Sequence, residues 1–314
     1  MQKKSLIRIG TRGSQLALAQ ASEVKARLAA AHEELRDPDA IEIVVISTTG
    51  DRVQDRPLAE LGGKGLFTKE IEESMLDTSI DIAVHSMKDV PTILPDGLVI
   101  DCILEREDPR DAFISTKAAG IDDLPAGSVV GTSSLRRQAL ILSRRPDLTV
   151  VPFRGNVGTR LRKLDNGDVD ATLLAMAGLH RLAIEPAGMA AIPASIMLPA
   201  VAQGAIGVER RAADARIAAY LAPLNHGESA TRVTAERAML AELDGSCRTP
   251  IAALAKLAGD RLTLYGLIVL PDGTQRHDVT REGAASDAAA IGRAAGQALR
   301  ESAGSEFFRI LESG

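Results

Sequence analysis

Apolar runs and helical periods alternate through the first half of the chain. The strand-like run "LIRIG" is followed by the helical "SQLALAQASEVKARLAAA", and "IEIVVIST", "LFTKEIEESML" and "DIAVHS" repeat the alternation. From about residue 128 the same order begins again with "SVVGT", "SLRRQALILSRR" and "LTVVPF". Strands that alternate with helices predict a parallel sheet covered by helices. The pattern therefore predicts two α/β lobes.

The two predicted lobes begin in the same way. "IGTRGSQLALAQA" and "VGTSSLRRQALIL" both run from a strand through Gly-Thr and a short polar turn into a helix. A helix that starts just beyond the carboxyl end of a strand presents unpaired backbone N–H groups and a positive dipole end. Each lobe is therefore expected to hold an anion site at its strand ends, where open α/β sheets bind ligands.

The alternation stops at "PASIMLPAVAQGAIGVERR", which is expected to return the chain to the first lobe. The remaining sequence predicts a helix, strands joined by a Pro-Asp-Gly turn, and a closing helix, the pattern of a small α+β domain. The predicted fold class is α/β, with a first lobe over 1–104 and the return segment 200–222, a second lobe over 105–199, and a small C-terminal α+β domain over 223–314.

The distribution of charge narrows the choice of ligand. The net charge of the chain is −5, which argues against nucleic acid as a partner. Between Gly131 and Arg181, however, eight Arg and one Lys stand against four Asp, a local net charge of +5. A positive segment in an acidic protein indicates the binding of small anions.

Other features of the sequence bound the protein class. No run approaches the roughly 18 apolar residues of a membrane span, and "MQKKSLIRIG" has the pattern of a strand and not of a leader, so no membrane partner is expected. Two Cys and five scattered His predict neither a disulfide framework nor a metal site. The expected location is a reducing cytoplasm, and the expected state is a monomer.

The two cysteines lie in opposite surroundings. Cys102, inside "LVIDCIL", is placed like a small structural hydrophobe, whereas Cys247, in "LDGSCRTP", lies in a polar turn beside Arg248. A nearby positive charge favours the thiolate and therefore a reactive thiol. From the thiol alone, an incidental loop cysteine remains the simpler interpretation.

Five motifs together resemble one enzyme family. They are "GGKGLF" (62–67), "VHSMKDVP" (84–91), "GTSSLRRQ" (131–138), "FRGNVGTRLRKL" (153–164) and "LDGSCRTPI" (243–251). They occur in the order that is typical of the porphobilinogen deaminase (hydroxymethylbilane synthase) family, and the resemblance covers essentially the whole chain. It implies two lobes resembling type II periplasmic binding proteins and a third domain that carries the cysteine.

The resemblance also implies an activity in tetrapyrrole (heme) biosynthesis. The family is a transferase that joins four porphobilinogen molecules head to tail, with loss of ammonia, into linear hydroxymethylbilane. It primes this chain on a dipyrromethane cofactor that a thioether holds to a cysteine, and by motif position that cysteine is Cys247. By motif position Asp89 is the catalytic aspartate, whose carboxylate is expected to stabilise a cationic intermediate.

The resemblance further implies a set of cations, because each ring of substrate and cofactor carries an acetate and a propionate. Charge-assisted contacts from arginine to carboxylate meet this need. The residues expected to bind the cofactor, besides Cys247, are Lys88, Asp89, Thr132, Ser133, Ser134, Arg136, Arg137 and Arg154. Those expected to bind the substrate are Arg12, Ser14, Arg154, Arg160, Arg181, Lys64 and Phe67. No residue is expected to bind a metal.

Simpler interpretations remain for several of these residues. Any single arginine can be a solvated surface charge, and a Lys-Asp pair is common in turns. The "GGKGLF" motif, with Lys64 and Phe67, can be a mobile flap or only the loop before a helix. His85 ends an apolar strand, where a histidine usually packs or orients a neighbour, and it is left out of the predicted site.

Two other classes of function stay open on the sequence. The two lobes alone would suit a solute-binding or effector-sensing module, although that interpretation gives Cys247 no task. A transferase with a cysteine nucleophile would need a general base near Cys247, and its local motif contains no histidine.

Overall fold

The computed structural model describes residues 5–52, 67–243 and 249–313 of the 314-residue chain. These residues form two compact units. The first unit contains those within Met1–Glu107 and Ala205–Ala230, and the second contains those within Asp108–Gly204 and Thr231–Gly314. The division into three domains stays a prediction.

The first unit opens with strands and helices in alternation. In chain order they are β1 (Ile7–Thr11), α1 (Gln15–Ala31), β2 (Ile41–Val45), α2 (Thr49–Arg52), α3 (Lys69–Leu76), β3 (Ile82–Ser86) and β4 (Leu98–Ile103). Helices cover both faces of the sheet, because alternate residues of β3 belong to two different cores. Ile82 and Val84 pack with α1, and Ala83 packs with α3.

The second unit repeats the alternation. Its elements up to Ala191 are β5 (Asp111–Ile114), β6 (Val129–Gly131), α4 (Leu135–Arg144), β7 (Thr149–Val151), α5 (Val157–Asp165), β8 (Ala171–Ala175), α6 (Met176–Arg181) and β9 (Met189–Ala191). The chain then adds β10 (Ile206–Arg211) and α7 (Ala215–Leu221) to the first unit.

The two large sheets share one topology. Their strand orders are β2-β1-β3-β10-β4 and β7-β6-β8-β5-β9. In each sheet the first three strands are parallel, and the fourth strand in the order, β10 or β5, is antiparallel to both of its neighbours. Each unit is thus built on a mixed sheet whose antiparallel strand comes from outside the βαβαβ run.

The C-terminal part of the chain has a different architecture. Its elements are α8 (Gly227–Glu242), β11 (Ile251–Ala258), β12 (Arg261–Val269), β13 (Arg276–Ala284) and α9 (Ala288–Ser313). The three strands form an antiparallel sheet in the order β11-β12-β13. Ala139 and Leu140 of α4 belong to the same buried cluster as Leu267 and Val269 of β12, so this sheet shares a core with the second unit.

These sheets confirm the predicted fold class of two α/β lobes with a small α+β part at the C-terminus. Among the described residues, the helices are all too short or too polar to cross a membrane.

Candidate functional site

Each unit places a helix start just beyond the carboxyl end of a parallel strand. The Ser14 hydroxyl accepts a hydrogen bond from the backbone N–H of Ala17 at the start of α1, at 3.2 Å. The Ser134 hydroxyl accepts one from the N–H of Arg137 at the start of α4, at 3.4 Å. In both repeats a serine at the N-cap fixes where the helix begins.

The Gly-Thr pair before each helix reflects a close approach of the backbone to a side chain. A Cβ atom at Gly10 would lie 2.3 Å from Cδ1 of Ile80, and one at Gly131 would lie 2.6 Å from Cγ of Phe153. Both distances are shorter than an ordinary van der Waals contact. A side chain at Gly131 would collide with the root of the Phe153 ring, whereas at Gly10 the flexible end of Ile80 would have to move.

A small pocket in the first unit collects predicted residues from three separate motifs. Arg12, Ser14, Phe67 and Asp89 all line it. The guanidinium carbon of Arg12 lies 4.0 Å from the centroid of the Phe67 ring, a cation–π contact. The pocket therefore combines a cation, an aromatic face and a carboxylate. Its other polar lining residues are Gln20, Thr68, His85 and Ser86.

Asp89 reaches this pocket from a tight turn. Met87–Asp89 form one 3₁₀ turn directly after β3, and both Lys88 and Asp89 are exposed. Val90 is extended, with φ −87° and ψ 128°, because Pro91 disfavours a helical residue before it. The turn cannot continue as a helix, so Asp89 stays at the end of the sheet.

Behind the pocket lies a buried group of acidic side chains with one histidine. His85 Nε2 lies 2.9 Å from Glu209 Oε2 of β10, and the two side chains are 5% and 0% exposed. Glu72 of α3 is also buried. Burial raises the pKa of the Glu72 carboxyl, and the nearby charge of Glu209 raises it further. His85, which lines the pocket, therefore contacts one buried carboxyl side chain and lies near a second.

In the second unit, one buried carboxylate holds two arginines. Asp111, fully buried at the start of β5, accepts a hydrogen bond from Arg136 NH2 at 2.7 Å. It also accepts bonds from Nε and NH2 of Arg137, at 3.1 and 2.7 Å. Gln203 Nε2 adds a fourth bond, at 2.9 Å. The remaining recorded partners of the guanidiniums are the carbonyls of Leu198 and Leu173.

The pair of arginines leaves this site positively charged. Burial alone would raise the pKa of Asp111, but the charges of Arg136 and Arg137 outweigh it and hold the pKa well below its usual range. One ionised carboxylate balances only one of two guanidiniums. Arg136 Nε is buried and has no hydrogen-bond partner among the described residues, so it remains available to an acceptor from a ligand.

Arg160, at the first turns of α5, extends the positive group. Burial, followed by the charges of Arg137 and Arg154, lowers its pKa to about 10. Its Nε donates to the carbonyl of Gly155 at 2.8 Å. Three guanidiniums close enough to interact form a site that favours anions.

The hydroxyl groups of the "GTSS" loop have a structural task. Thr132 Oγ1 accepts from the N–H of Ser134 at 3.1 Å, and Ser133 Oγ accepts from the N–H of Phe153 at 3.0 Å. These oxygens shape the loop, which leaves the hydroxyl hydrogens for a ligand. Elsewhere in the unit, NH2 of Arg181 donates to the carbonyl of Gly204 at 2.9 Å.

Two predicted site residues, Cys247 and Lys64, lie outside the described residues. The other cysteine, Cys102, is buried in β4. Burial, with a smaller effect of the Asp101 charge, raises the pKa of the Cys102 thiol to about 12, so this thiol is unreactive at neutral pH.

Sequence reasoning missed Asp111, Gln203 and Glu209, and it set His85 aside. The available signal for Asp111 was an acidic residue directly before the apolar run "AFI", since a charge at the edge of a buried strand needs a partner. His85 and Glu209 are 124 positions apart in sequence, and neither motif indicates the other.

Comparison with known proteins identifies related chains. The family model described as porphobilinogen deaminase, dipyrromethane cofactor binding domain, matches residues 7–219, and the model of the porphobilinogen deaminase C-terminal domain matches residues 230–301. A porphobilinogen deaminase from Paracoccus denitrificans is 61% identical over 302 residues, which cover 96% of each chain. One from Nitrobacter hamburgensis is 57% identical over 306 residues, which cover 98% of this chain and 96% of that one.

Among solved structures, the chain is similar to a periplasmic substrate-binding protein of an ABC transporter from Coxiella burnetii. The match has a TM-score of 0.42 and 16% sequence identity, and it covers 69% of this chain and 91% of that one.

Proposed function

The chain belongs to the porphobilinogen deaminase family, and on that premise we propose that Cys247 anchors the dipyrromethane, that the arginines of the second unit hold its carboxylates, and that Asp89 is the catalytic residue. The protein is a transferase that builds hydroxymethylbilane from four porphobilinogen molecules. It is thus an enzyme and not a solute-binding module.

The arginine group around Asp111 carries the proposal. A dipyrromethane presents two carboxylates on each ring, and it supplies the free pyrrole α-carbon at which the chain grows. The donor set suits such a ligand. Arg136 keeps a buried Nε without a partner among the described residues, and burial, followed by the charges of Arg137 and Arg154, lowers the pKa of Arg160. A ligand carboxylate would supply the missing acceptor and relieve the repulsion between like charges.

The assignment of the anchor to Cys247 rests on contrast with Cys102. The Cys102 thiol is buried and its pKa is raised to about 12, so it suits neither thiolate chemistry nor access by a pyrrole. Cys247 lies between Ser246 and Arg248 in a polar sequence, where the guanidinium favours the thiolate that forms a thioether. Its sulfur would be an anchor that forms its bond once and keeps it through turnover.

Asp89 is proposed to stabilise positive charge. Loss of ammonia from porphobilinogen leaves an electron-poor ring that is cationic when its nitrogen is protonated, and the α-carbon of the next ring attacks it. An exposed carboxylate at the end of β3, in a pocket with Arg12 and Phe67, can accept the pyrrole N–H while Arg12 binds a ring carboxylate.

Intact mass tests the anchor directly. Cys247→Ala should give a folded, inactive protein that lacks the added mass of two pyrrole rings. Its matched control, Cys102→Ala, should keep both that mass and activity. An adduct that persists in Cys247→Ala, or disappears in Cys102→Ala, would contradict the assignment.

A single condensing site at Asp89 has its own test. Asp89→Glu keeps the charge but moves it by about one methylene, so every addition should slow by a similar factor. Mass spectrometry at limiting substrate should then show adducts of one, two and three rings in even succession. A block at one addition, with the others at normal speed, would mean that the additions use separate sites.

We also propose that the protein acts as a monomer and that it works in a reducing compartment. The free, buried thiol of Cys102 supports the second proposal. Light scattering during size-exclusion chromatography would give the mass of one chain, about 33.1 kDa. A mass twice as large would overturn the monomer.

A further inference from the structure

We infer that His85 is a second catalytic residue, a proton acceptor that Glu209 holds in place in the pocket beside Asp89. The inference rests on the proposed position of the condensing ring at Asp89. It concerns the proton that the condensation releases, which is a separate task from the stabilisation of a cation.

The proton balance of the reaction requires an acceptor. When the C–N bond of porphobilinogen breaks, its electron pair leaves with ammonia, and the π electrons of the attacking ring form the new C–C bond. The attacking carbon still carries its hydrogen, so its C–H electron pair must return to the ring and the proton must pass to a base. A neutral imidazole accepts that proton and then releases it to water or to the departing ammonia.

The geometry gives His85 a defined tautomer. Its Nε2 lies 2.9 Å from the Glu209 carboxylate, and both side chains are almost fully buried. A carboxylate at this distance favours the proton on Nε2, and the Nδ1 lone pair is then the one left for a ligand. His85 lines the same pocket as Asp89 and Arg12.

The charged groups near the ring are mostly acidic. Glu209 of β10 contacts the ring, Glu72 of α3 is close enough to interact with it, and Asp89 and Arg12 line the same pocket. Three of these four groups are carboxyls. Glu209 Oε1 is buried without a hydrogen-bond partner among the described residues, so this carboxylate can accept a further hydrogen bond.

The variant His85→Gln tests the role of Nδ1 separately from that of Nε2. The Gln amide N–H can replace Nε2–H toward Glu209, but the amide has no basic nitrogen. The variant should keep the cofactor mass and a melting temperature close to that of the parent, while kcat falls about 100-fold or more with little change in KM. The acid limb of its pH–rate profile should disappear. The matched control is His32→Gln, a histidine of the same unit whose Nε2 meets the carbonyl of Tyr220; it should behave as the parent.

Glu209→Gln provides a second measurement that does not depend on the His85 variant folding. A neutral amide no longer favours the imidazolium, so the acid limb of the pH–rate profile should move to lower pH. A His85→Gln enzyme within threefold of parental kcat, or an unmoved acid limb in Glu209→Gln, would overturn the inference. If Asp89→Asn is inactive while His85→Gln is fully active, the assignment of Asp89 survives and that of His85 fails. If both variants are active, the condensing site does not lie at this pocket, and both assignments fail.

Discussion

The two units bury opposite charges at their candidate sites. Beside the pocket of the first unit, the buried titratable groups are Glu72, His85 and Glu209, two carboxyls and one imidazole. Around β5 of the second unit, two buried guanidiniums share the carboxylate of Asp111. One repeated topology therefore buries acidic groups in one unit and basic groups in the other. Under the proposed function, the acidic groups would serve protons and cationic rings, and the basic groups would hold carboxylates.

The strongest loss of stability is expected from removing the Asp111 carboxylate of the second unit. Asp111→Asn would leave two buried guanidiniums without their counter-ion, and we expect it to cost about 3–5 kcal/mol of the free energy of unfolding. Denaturant unfolding followed by circular dichroism measures this loss. Asp122→Asn, which breaks an exposed pair with Arg144, is the control and should cost less than about 1 kcal/mol. Equal losses would mean that the buried ion pairs contribute no more to stability than the exposed pair.

The next prediction concerns Asp89 in the first unit, where a substitution should lower kcat and leave stability unchanged. Asp89→Asn keeps the shape of the side chain but removes the charge, so kcat should fall about 10²–10³-fold, as at other preorganised electrostatic sites. Because Asp89 is exposed, the melting temperature should not change. Asp96→Asn, another exposed aspartate of the same unit, should leave both quantities unaltered. A destabilised Asp89→Asn protein would show that this carboxylate also supports the fold.

Replacing Arg160 should weaken substrate binding without lowering the stability of the cofactor-free protein. Arg160→Gln removes a charge-assisted contact worth about 1.5–3 kcal/mol, so KM should rise roughly 10-fold to 150-fold. The same change relieves a repulsion, since burial and two neighbouring arginines lower the pKa of Arg160 to about 10. In a Cys247→Ala background without cofactor, Arg160→Gln should therefore melt at or above the temperature of its parent. A lower melting temperature there would contradict an electropositive site that lacks an anion.

The smallest effect is a difference in pH dependence between the two units. The pKa of Glu72 is raised, so its contribution to stability is fully present below its usual pKa and is lost as pH rises through the raised value. The pKa of Asp111 is lowered, so its contribution is present above its usual pKa and is lost only in strong acid. As pH rises above the usual pKa of a glutamate, therefore, the Glu72 contribution declines and the Asp111 contribution does not.

Glu72→Gln tests this contrast. Plotted against pH from 4 to 8, the free energy of unfolding of the variant should decline less than that of the parent. Glu73→Gln, an exposed neighbour paired with Lys69, should follow the parental curve. Parallel curves for Glu72→Gln and the parent would show that Glu72 does not titrate in this range.

The sequence predicts elements that depend on local pattern. Strand and helix alternate with clear periods. Ser14 and Ser134 cap the two helices that follow the repeated Gly-Thr turns. Motif position also selects Arg12, Ser14, Phe67 and Asp89, which meet at one pocket. These residues lie at strand ends or helix starts, where local chemistry and sheet geometry decide position together.

The buried partners of Arg136, Arg137 and His85 could not be predicted from the sequence, because they depend on how the strands are ordered in each sheet. Asp111 meets Arg136 and Arg137 only because β5 enters its sheet antiparallel, next to β8. Glu209 meets His85 because β10 inserts beside β3. In both sheets the antiparallel strand comes from outside the βαβαβ run, and no period in the sequence specifies which strand it pairs with.

The core that α4 shares with β12 has a consequence for how the protein fails. Ala139 and Leu140 lose their packing partners if the C-terminal sheet detaches, so the helix that begins with Arg136 and Arg137 should melt together with that sheet as one cooperative block. In hydrogen exchange, the amides of α4 and β12 should open with the same free energy. A chain truncated before β11 would keep Cys247, but it would lose the sheet that packs against α4, and Arg136 and Arg137 would lose their order with that helix.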